Sequence, residues 1–282
     1  NKKSFIILTT ISAIVSSCGT KKTTDANTSK NPLLNNWTTP HQVPPFNLIQ
    51  NSHFEEAIFE AIDEQTLEIE KIVQNKEKPT FNNTIIALEE TGKKLKKVLP
   101  VFFNLASANT NQEIQNLSKK LAPNLSKHND AIYMDQALFS RVAAVWNSNE
   151  KNEITPVDQK LLENTYKAFL KNGALLSDSD KEALSEINSK LSLLSLEYGS
   201  NLLKETNSYK LWIENEAELK GLAPELIKEA AIASQAAGEP HKFLFTLHNP
   251  SVMPFLQYAE NRELREKIWT AYQNKGNNNN EF

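Results

Sequence analysis

The amino-acid sequence predicts a mostly α protein, a multi-helix chain with one small two-stranded β excursion. Three observations predict it. Apolar residues recur at three- and four-residue steps through most of the chain, as they do along one face of a helix. Only 7 of 282 residues are glycine, a scarcity that favours long helices. Two short aromatic-rich segments, residues 208–214 and 242–247, break the helical pattern and alternate partly, as strands do.

At the amino end Lys2 and Lys3 form a short basic region, followed by a mainly apolar run over residues 5–15 and small residues up to Cys18. That is the order of a secretory signal, and the run is too short to span a bilayer. The stretch Val15-Ser16-Ser17-Cys18 resembles the lipobox of bacterial lipoproteins. Residues 1–17 are therefore expected to be removed, leaving Cys18 lipidated at a membrane surface of the bacterial envelope, periplasmic or surface-exposed. Cys18 is the single cysteine, so an internal disulfide and a Cys-based metal site are both excluded. Asn1 stands where an initiator methionine is expected, which suggests that a residue precedes it. Residues 18–45, rich in Thr, Asn, Ser, Lys and Pro, read as a flexible tether.

Ordered structure is expected over residues 46–282. A first helix should start near Ser52, with Glu55 completing a capping box, and carry Phe54, Ile58, Ala61, Ile62, Gln65, Ile69, Ile72 and Val73 at helical steps. A second should begin after Asn82 or Asn83 and be interrupted or ended by Pro100, with a third opening at Val101. Helical periodicity then continues over residues 114–125, 132–146 and 156–170, where Asn172-Gly173 supplies a stop. The longest helix should follow Ser177 or Asp178. Its Leu184, Ile187, Leu191, Leu194, Tyr198 and Leu202 form one apolar seam, expected to face a neighbouring helix. Between the two strand-like segments a helix should open near Pro224 and end at Gly238, making a paired β-α-β excursion. Two more helices follow Asn249-Pro250 and run to about Asn274. The final glycine and four asparagines before Glu281 and Phe282 read as a stopping point inside a longer protein.

Charge and titratable residues narrow the chemistry. Loss of Lys2 and Lys3 with the signal leaves 29 basic against 34 acidic residues, a balance that gives no reason to expect nucleic acid as a partner. The five histidines, His41, His53, His128, His241 and His248, are isolated in sequence, and none has a second histidine four positions on. No GxSxG elbow or phosphate-binding glycine loop occurs. Lys93, Lys94, Lys96 and Lys97 form a basic cluster that Glu89 and Glu90, about one turn away, can pair with. On residue chemistry alone the chain is a helical scaffold with no catalytic or metal residue to assign. The specific chemical role falls on Cys18 as the lipid attachment site.

Read together, several stretches resemble a known family. Phe81-Asn82-Asn83-Thr84-Ile85-Ile86-Ala87-Leu88-Glu89, then Val101-Phe102-Phe103-Asn104-Leu105 with Ala108-Asn109-Thr110-Asn111, are similar to the amino-terminal half of the thimet-oligopeptidase family of zinc peptidases, in its peptidyl-dipeptidase branch. Ile132-Tyr133, Leu138-Phe139, Val142, Val145-Trp146 and Arg262-Glu263-Leu264-Arg265-Glu266-Lys267 with Trp269, Ala271-Tyr272 and Gly276-Asn277 fit the same family. The resemblance implies a mostly helical, two-lobed enzyme divided by a narrow channel, of which this half forms one wall. It implies one zinc ion held by a His-Glu-x-x-His helix and a downstream glutamate in the later half, so none of those residues lies in this chain. It implies short unstructured peptides as substrates, dipeptides released from their carboxyl ends, and a monomer when complete. Two other classes remain open at this point: a stand-alone helical peptide-binding lipoprotein and a structural envelope lipoprotein that uses the seam for an oligomeric coiled coil.

Overall fold

The computed structural model describes residues 30–278; the signal segment, Cys18 and the asparagines after 278 lie outside the described residues. Residues up to Ile49 form one unit and residues from Gln50 a second. In the first, Asn31 caps a turn with its own side chain, Leu33 N donating to Asn31 Oδ1 at 3.1 Å, and Trp37 Nε1 donates to the Pro32 carbonyl at 3.0 Å. A single 3-10 turn follows at Pro40–Gln42.

The second unit opens with α1 (Ser52–Gln74). Its Phe54, Ala57, Ile58, Ala61, Ile69 and Ile72 are buried at the expected helical steps. The expected capping box on Ser52 does not form. The cap position falls on Asn51, whose backbone is already helical and whose side chain makes no cap. Asn51 Nδ2 donates to Glu113 Oε2 at 2.7 Å, and Glu55, the other member of the expected box, is taken by Lys120 in a tertiary ion pair.

After a loop, Thr80 caps a π-helical turn at Phe81–Ile86 that continues into α2 (Ala87–Glu89). Here a true capping box occurs: Asn83 N donates to Thr80 Oγ1 at 3.1 Å, and Thr80 N donates to Asn83 Oδ1 at 2.9 Å. Asn83 is thus the reciprocal partner inside the first turn, and the helix begins at Phe81 rather than after Asn82 or Asn83. The break toward α3 (Lys93–Ala108) comes at Gly92, in the left-handed region at φ 66°, not at Pro100. Pro100 lies inside α3. It removes one backbone donor, a loss that the burial of Val98, Val101 and Phe102 around it outweighs. Phe102 meets Phe54 of α1 edge-on at 5.3 Å.

Three capped helices follow. α4 (Gln112–Tyr133) starts on the Asn111 side chain and also accommodates an internal proline, Pro123. α5 (Gln136–Trp146) starts on Asp135, which divides the periodic stretch 132–146 between two helices. α6 (Pro156–Lys171) starts on Thr155 and stops before Gly173 at φ 91°. The core shared by α1, the π turn, α5 and α6 contains Ile69, Ile72, Phe81, Leu138, Val142 and Phe169. In it Phe169 stacks with Phe139 at 5.9 Å and meets Tyr133 edge-on at 5.1 Å.

α7 (Asp178–Ser208) spans 31 residues from a Ser177 cap, as the sequence predicts. It packs on α4, with Asn188 Nδ2 donating to Asp130 Oδ1 at 2.8 Å and Lys181 Nζ donating to the Met134 carbonyl at 2.8 Å. The expectation that its apolar seam faces a neighbouring helix fails. Ile187, Leu191, Leu194 and Tyr198 are 61, 58, 49 and 58% exposed, and the sole buried residue of α7 is Glu205. Periodicity establishes that a helix has an apolar side, not which way that side is turned.

The excursion forms as expected. β1 (Leu211–Ile213) pairs antiparallel with β2 (Phe243–Phe245), Trp212 opposite Leu244, and α8 (Pro224–Ala236) lies between them in sequence. α9 (Asn249–Tyr258) and α10 (Arg262–Gln273) complete the described helices. They cover the pair over a second core of Leu211, Ile213, Phe245, Leu247, Phe255 and Ile268. That cover supplies what two isolated strands lack.

Arg141, 8% exposed on α5, ties the first core together. Its Nη1 donates to the Asn75 carbonyl at 2.8 Å and the Glu77 carbonyl at 3.3 Å, and its Nη2 donates to Asn83 Oδ1 at 3.1 Å. Arg141→Leu should lower unfolding stability by about 3 kcal/mol, because it orphans acceptors in a buried setting. Arg141→Lys should recover only part of this, since one ammonium cannot span the same fork. Urea titration of the three proteins checks the order, and an unchanged midpoint for Arg141→Leu would refute the role.

Candidate functional site

His53, His128 and His248 each bond a different set of residues. His53 sits in the first turn of α1, its Nδ1 accepting from Gln50 N at 3.1 Å. His248 precedes α9 and bonds Thr246 Oγ1 at 3.0 Å and Asn207 Oδ1 at 2.9 Å. His41 and His241 are exposed. Among the described residues no three His, Cys, Asp or Glu side chains converge to hold a metal ion. The zinc implied by the family resemblance therefore has no donor set in the described part of this chain. The lysine cluster is a paired surface: Lys93 bonds Glu90, Lys96 Nζ donates to the Glu89 carbonyl at 2.7 Å, and Lys94 reaches Glu60 at 2.9 Å and Glu64 of α1. Ion pairing with the neighbouring turn thus holds for Lys93, while Lys96 reaches a backbone carbonyl there and Lys94 is claimed by α1.

His128 is the histidine with a built environment. It lines a cavity of about 390 Å³ among α1, α2, α3, α4 and α6, together with Gln65, Thr91, Lys96, Tyr133 and Thr165. The hydrogen-bond directions fix its tautomer. Thr91 Oγ1 donates to the Leu88 carbonyl at 2.8 Å, so it accepts from Gln65 Nε2 at 3.2 Å. Gln65 Oε1 is then the acceptor facing His128 Nε2 at 2.8 Å, and that nitrogen carries the hydrogen. Burial disfavours the imidazolium and lowers the pKa of His128 from 6.5, opposed by the charge of Asp63. The arrangement offers a neutral imidazole whose other nitrogen can accept a hydrogen bond, beside leucines and a lysine. Gly92 makes room for it, because a Cβ there would fall 2.5 Å from the Gln65 side chain. The sequence places Gln65 among the core positions of α1 and gives no sign of this partnership, since 63 residues separate the two side chains.

A second, more open cavity of about 550 Å³ lies where the end of α7 meets α10, lined by Glu205, Tyr209, Lys210, Lys267 and Asn278 among others. Glu205, 7% exposed, accepts from Gly276 N and from Asn278 Nδ2, the latter at 2.5 Å. The Tyr209 hydroxyl is buried without a partner among the described residues, and burial raises its pKa. Neither cavity carries a nucleophile paired with a base.

Among known proteins, no family model matches the chain. Over 244 residues, 86% of its length, it is 34% identical to dipeptidyl carboxypeptidase of Escherichia coli (strain K12), of which the match covers 36%. It is 32% identical over 243 residues to the dipeptidyl carboxypeptidase of Salmonella typhimurium, again covering 36% of that protein. Oligopeptidase A of Haemophilus influenzae is 31% identical over 242 residues, 35% of its length. The chain thus spans about a third of the length of the curated relatives it matches.

Because His128 is harder to protonate when folded, the unfolded chain takes up that proton first. Stability should be level above the ordinary value of 6.5 and decline as pH falls through it toward the lowered folded value. His128→Gln should lack that part of the decline. Urea midpoints collected across the interval test this, and parallel curves for the two proteins would count against it.

Proposed function

We propose, from the premise that this chain is homologous to the dipeptidyl carboxypeptidases and oligopeptidases A of the thimet-oligopeptidase family of peptidases, that it is the amino-terminal, non-catalytic part of a zinc-dependent peptidyl-dipeptidase. The complete protein would hydrolyse short peptides and release dipeptides from their carboxyl ends. The observation that carries this reading is the match itself: 34% identity to a dipeptidyl carboxypeptidase along 86% of the chain, over 36% of that relative. Helices capped and packed in the order of the family segments support it, notably Phe81–Ile86 and Arg262–Gln273.

Within this reading the described residues bind and shape rather than cut. Zinc would supply a polarised water in the complete protein, and the donor set for it would lie in the part beyond this chain. What this part contributes is a wall of helices that admits extended peptides and excludes folded ones, a steric role that requires no reactive side chain. Lipidation of Cys18 would hold the enzyme at the envelope, where it would meet peptides from outside or from periplasmic turnover.

The alternative, a helical lipoprotein that holds peptides without cutting them, draws on the amphipathic cavity beside His128. The two separate in one assay. Expressed from its complete coding sequence, the protein should release a dipeptide from the carboxyl end of an amino-blocked tetrapeptide, detected by mass spectrometry, and lose that activity with a zinc chelator. This chain alone should leave the peptide intact. Intact peptide with the complete protein, or peptide binding by this chain that a chelator leaves unchanged, favours the alternative. Cys18→Ser should abolish incorporation of labelled fatty acid and shift the protein from the membrane to the soluble fraction; retention of the label would remove the anchor from the proposal.

A further inference from the structure

α7 is a helix with more apolar surface than its neighbours cover. At 100° per residue, its side toward α4 is centred on Lys181, Asn188 and Ser192. Glu186, Lys190 and Glu197 fall on the opposite side, which is exposed. Between the two, roughly a quarter turn from the α4 side, run Ile187, Leu191, Leu194 and Tyr198. They make a straight strip on the order of 16 Å long. All four are about half or more exposed. The other flank carries Ser185, Ser189 and Ser200 with one exposed leucine among them, Leu193, so the unbroken run of four apolar residues lies on one flank. Scattered exposed leucines need no explanation, but a continuous strip on one side of a 31-residue helix marks a surface made to be covered.

Two observations name the cover. The chain accounts for about a third of the length of its relatives, so a larger share of their polypeptide has no counterpart in it. The second observation lies at the carboxyl end of the strip. Glu205 continues the line of Tyr198 and Leu202 along α7, and it accepts from Gly276 N and Asn278 Nδ2. A Cβ at Gly276 would fall 2.7 Å from the Tyr198 hydroxyl. The segment after α10 is therefore fastened to the foot of the strip, and residues that follow it in a longer polypeptide start beside it.

We infer that the flank of α7 formed by Ile187, Leu191, Leu194 and Tyr198 is the docking surface for an apolar element of the remaining portion of the peptidase polypeptide, the part that follows residue 278. This rests on the proposed reading of the chain as one part of a longer peptidase. The partner has an apolar, rod-like face able to lie along a helix, and the Glu205 clamp sets where it enters.

Hydroxyl-radical footprinting of the complete protein and of this chain tests the inference. Oxidation of Leu191, Leu194 and Tyr198 should be at least fivefold slower in the complete protein, while Val157, 78% exposed on α6, should react equally in both. Equal rates at the strip would overturn the inference. So would protection in this chain alone that rises with concentration alongside a dimer in sedimentation, since the cover would then be a second copy. The double variant Leu191→Glu/Leu194→Glu gives an independent measure. It should leave the melting temperature of this chain unchanged and lower that of the complete protein; an equal effect on both would also overturn the inference. The dipeptide-release assay is scored separately. A protected strip without hydrolysis defeats the proposed function and leaves the docking surface standing, and hydrolysis with an exposed strip does the reverse.

Discussion

Arg141 is the constraint around which the first core is arranged. Its guanidinium is nearly enclosed, and its bonds go to carbonyl, amide and hydroxyl oxygens contributed by the end of α1, the loop after it and the π turn. A buried cation is costly unless its donors find acceptors; both Nη atoms do, while Nε is buried without a partner among the described residues. The loop between α1 and the π turn therefore has little freedom, because moving it would leave Arg141 unsatisfied. The same fork holds Asn83, whose side chain closes the capping box with Thr80. One side chain on α5 thus fixes where α1 stops and where the next helix starts. The apolar residues beneath, Ile72, Phe81, Leu138 and Val142, pack on a backbone whose path is already determined.

Much of this was legible in the sequence, and what was not divides by range. Local signals read correctly: the start of α7 at Ser177 or Asp178, Pro224 in a first turn, Asn172-Gly173 as a stop, and the pairing of the two aromatic segments. Misreadings arose where a distant partner overrode a local signal. Ser52 and Glu55 spell a capping box, yet Glu55 pairs with Lys120 of α4, the helix is already under way at Asn51, and the box does not close. Pro100 spells an end, yet buried Phe102 and Val98 on either side keep the helix running. The periodicity of α7 predicts a seam facing a neighbouring helix, yet Ile187, Leu191, Leu194 and Tyr198 are exposed, because 3.6-residue periodicity is silent about direction.

The site shows the same division more strongly. Scanning for spaced histidines leaves five residues isolated in sequence, and among the described residues no three His, Cys, Asp or Glu side chains converge. Yet one of the five belongs to a relay, His128 to Gln65 to Thr91 to the Leu88 carbonyl, whose members are ordinary in sequence. No spacing rule marks a glutamine on a helix face as the group that selects an imidazole tautomer. The Glu205 clamp is equally unmarked, a glutamate near the end of a long helix that acquires meaning only when Gly276 arrives beside it.

Gly92 is bound by two requirements at once. Its left-handed backbone divides α2 from α3 where the apolar pattern alone would run them together, and its N–H donates to Glu68 at 2.7 Å. The missing side chain is also the space that Gln65 occupies while it holds His128. Any other residue at this position would straighten or strain the bend and, in the same event, displace the glutamine from the imidazole. A change that ought to be a local matter of backbone shape would then be read out in the hydrogen bonding of an imidazole on a different helix. Position 92 is in this sense a single point of failure for two properties that cannot drift separately: the course of the chain and the hydrogen-bond relay of the cavity beside it.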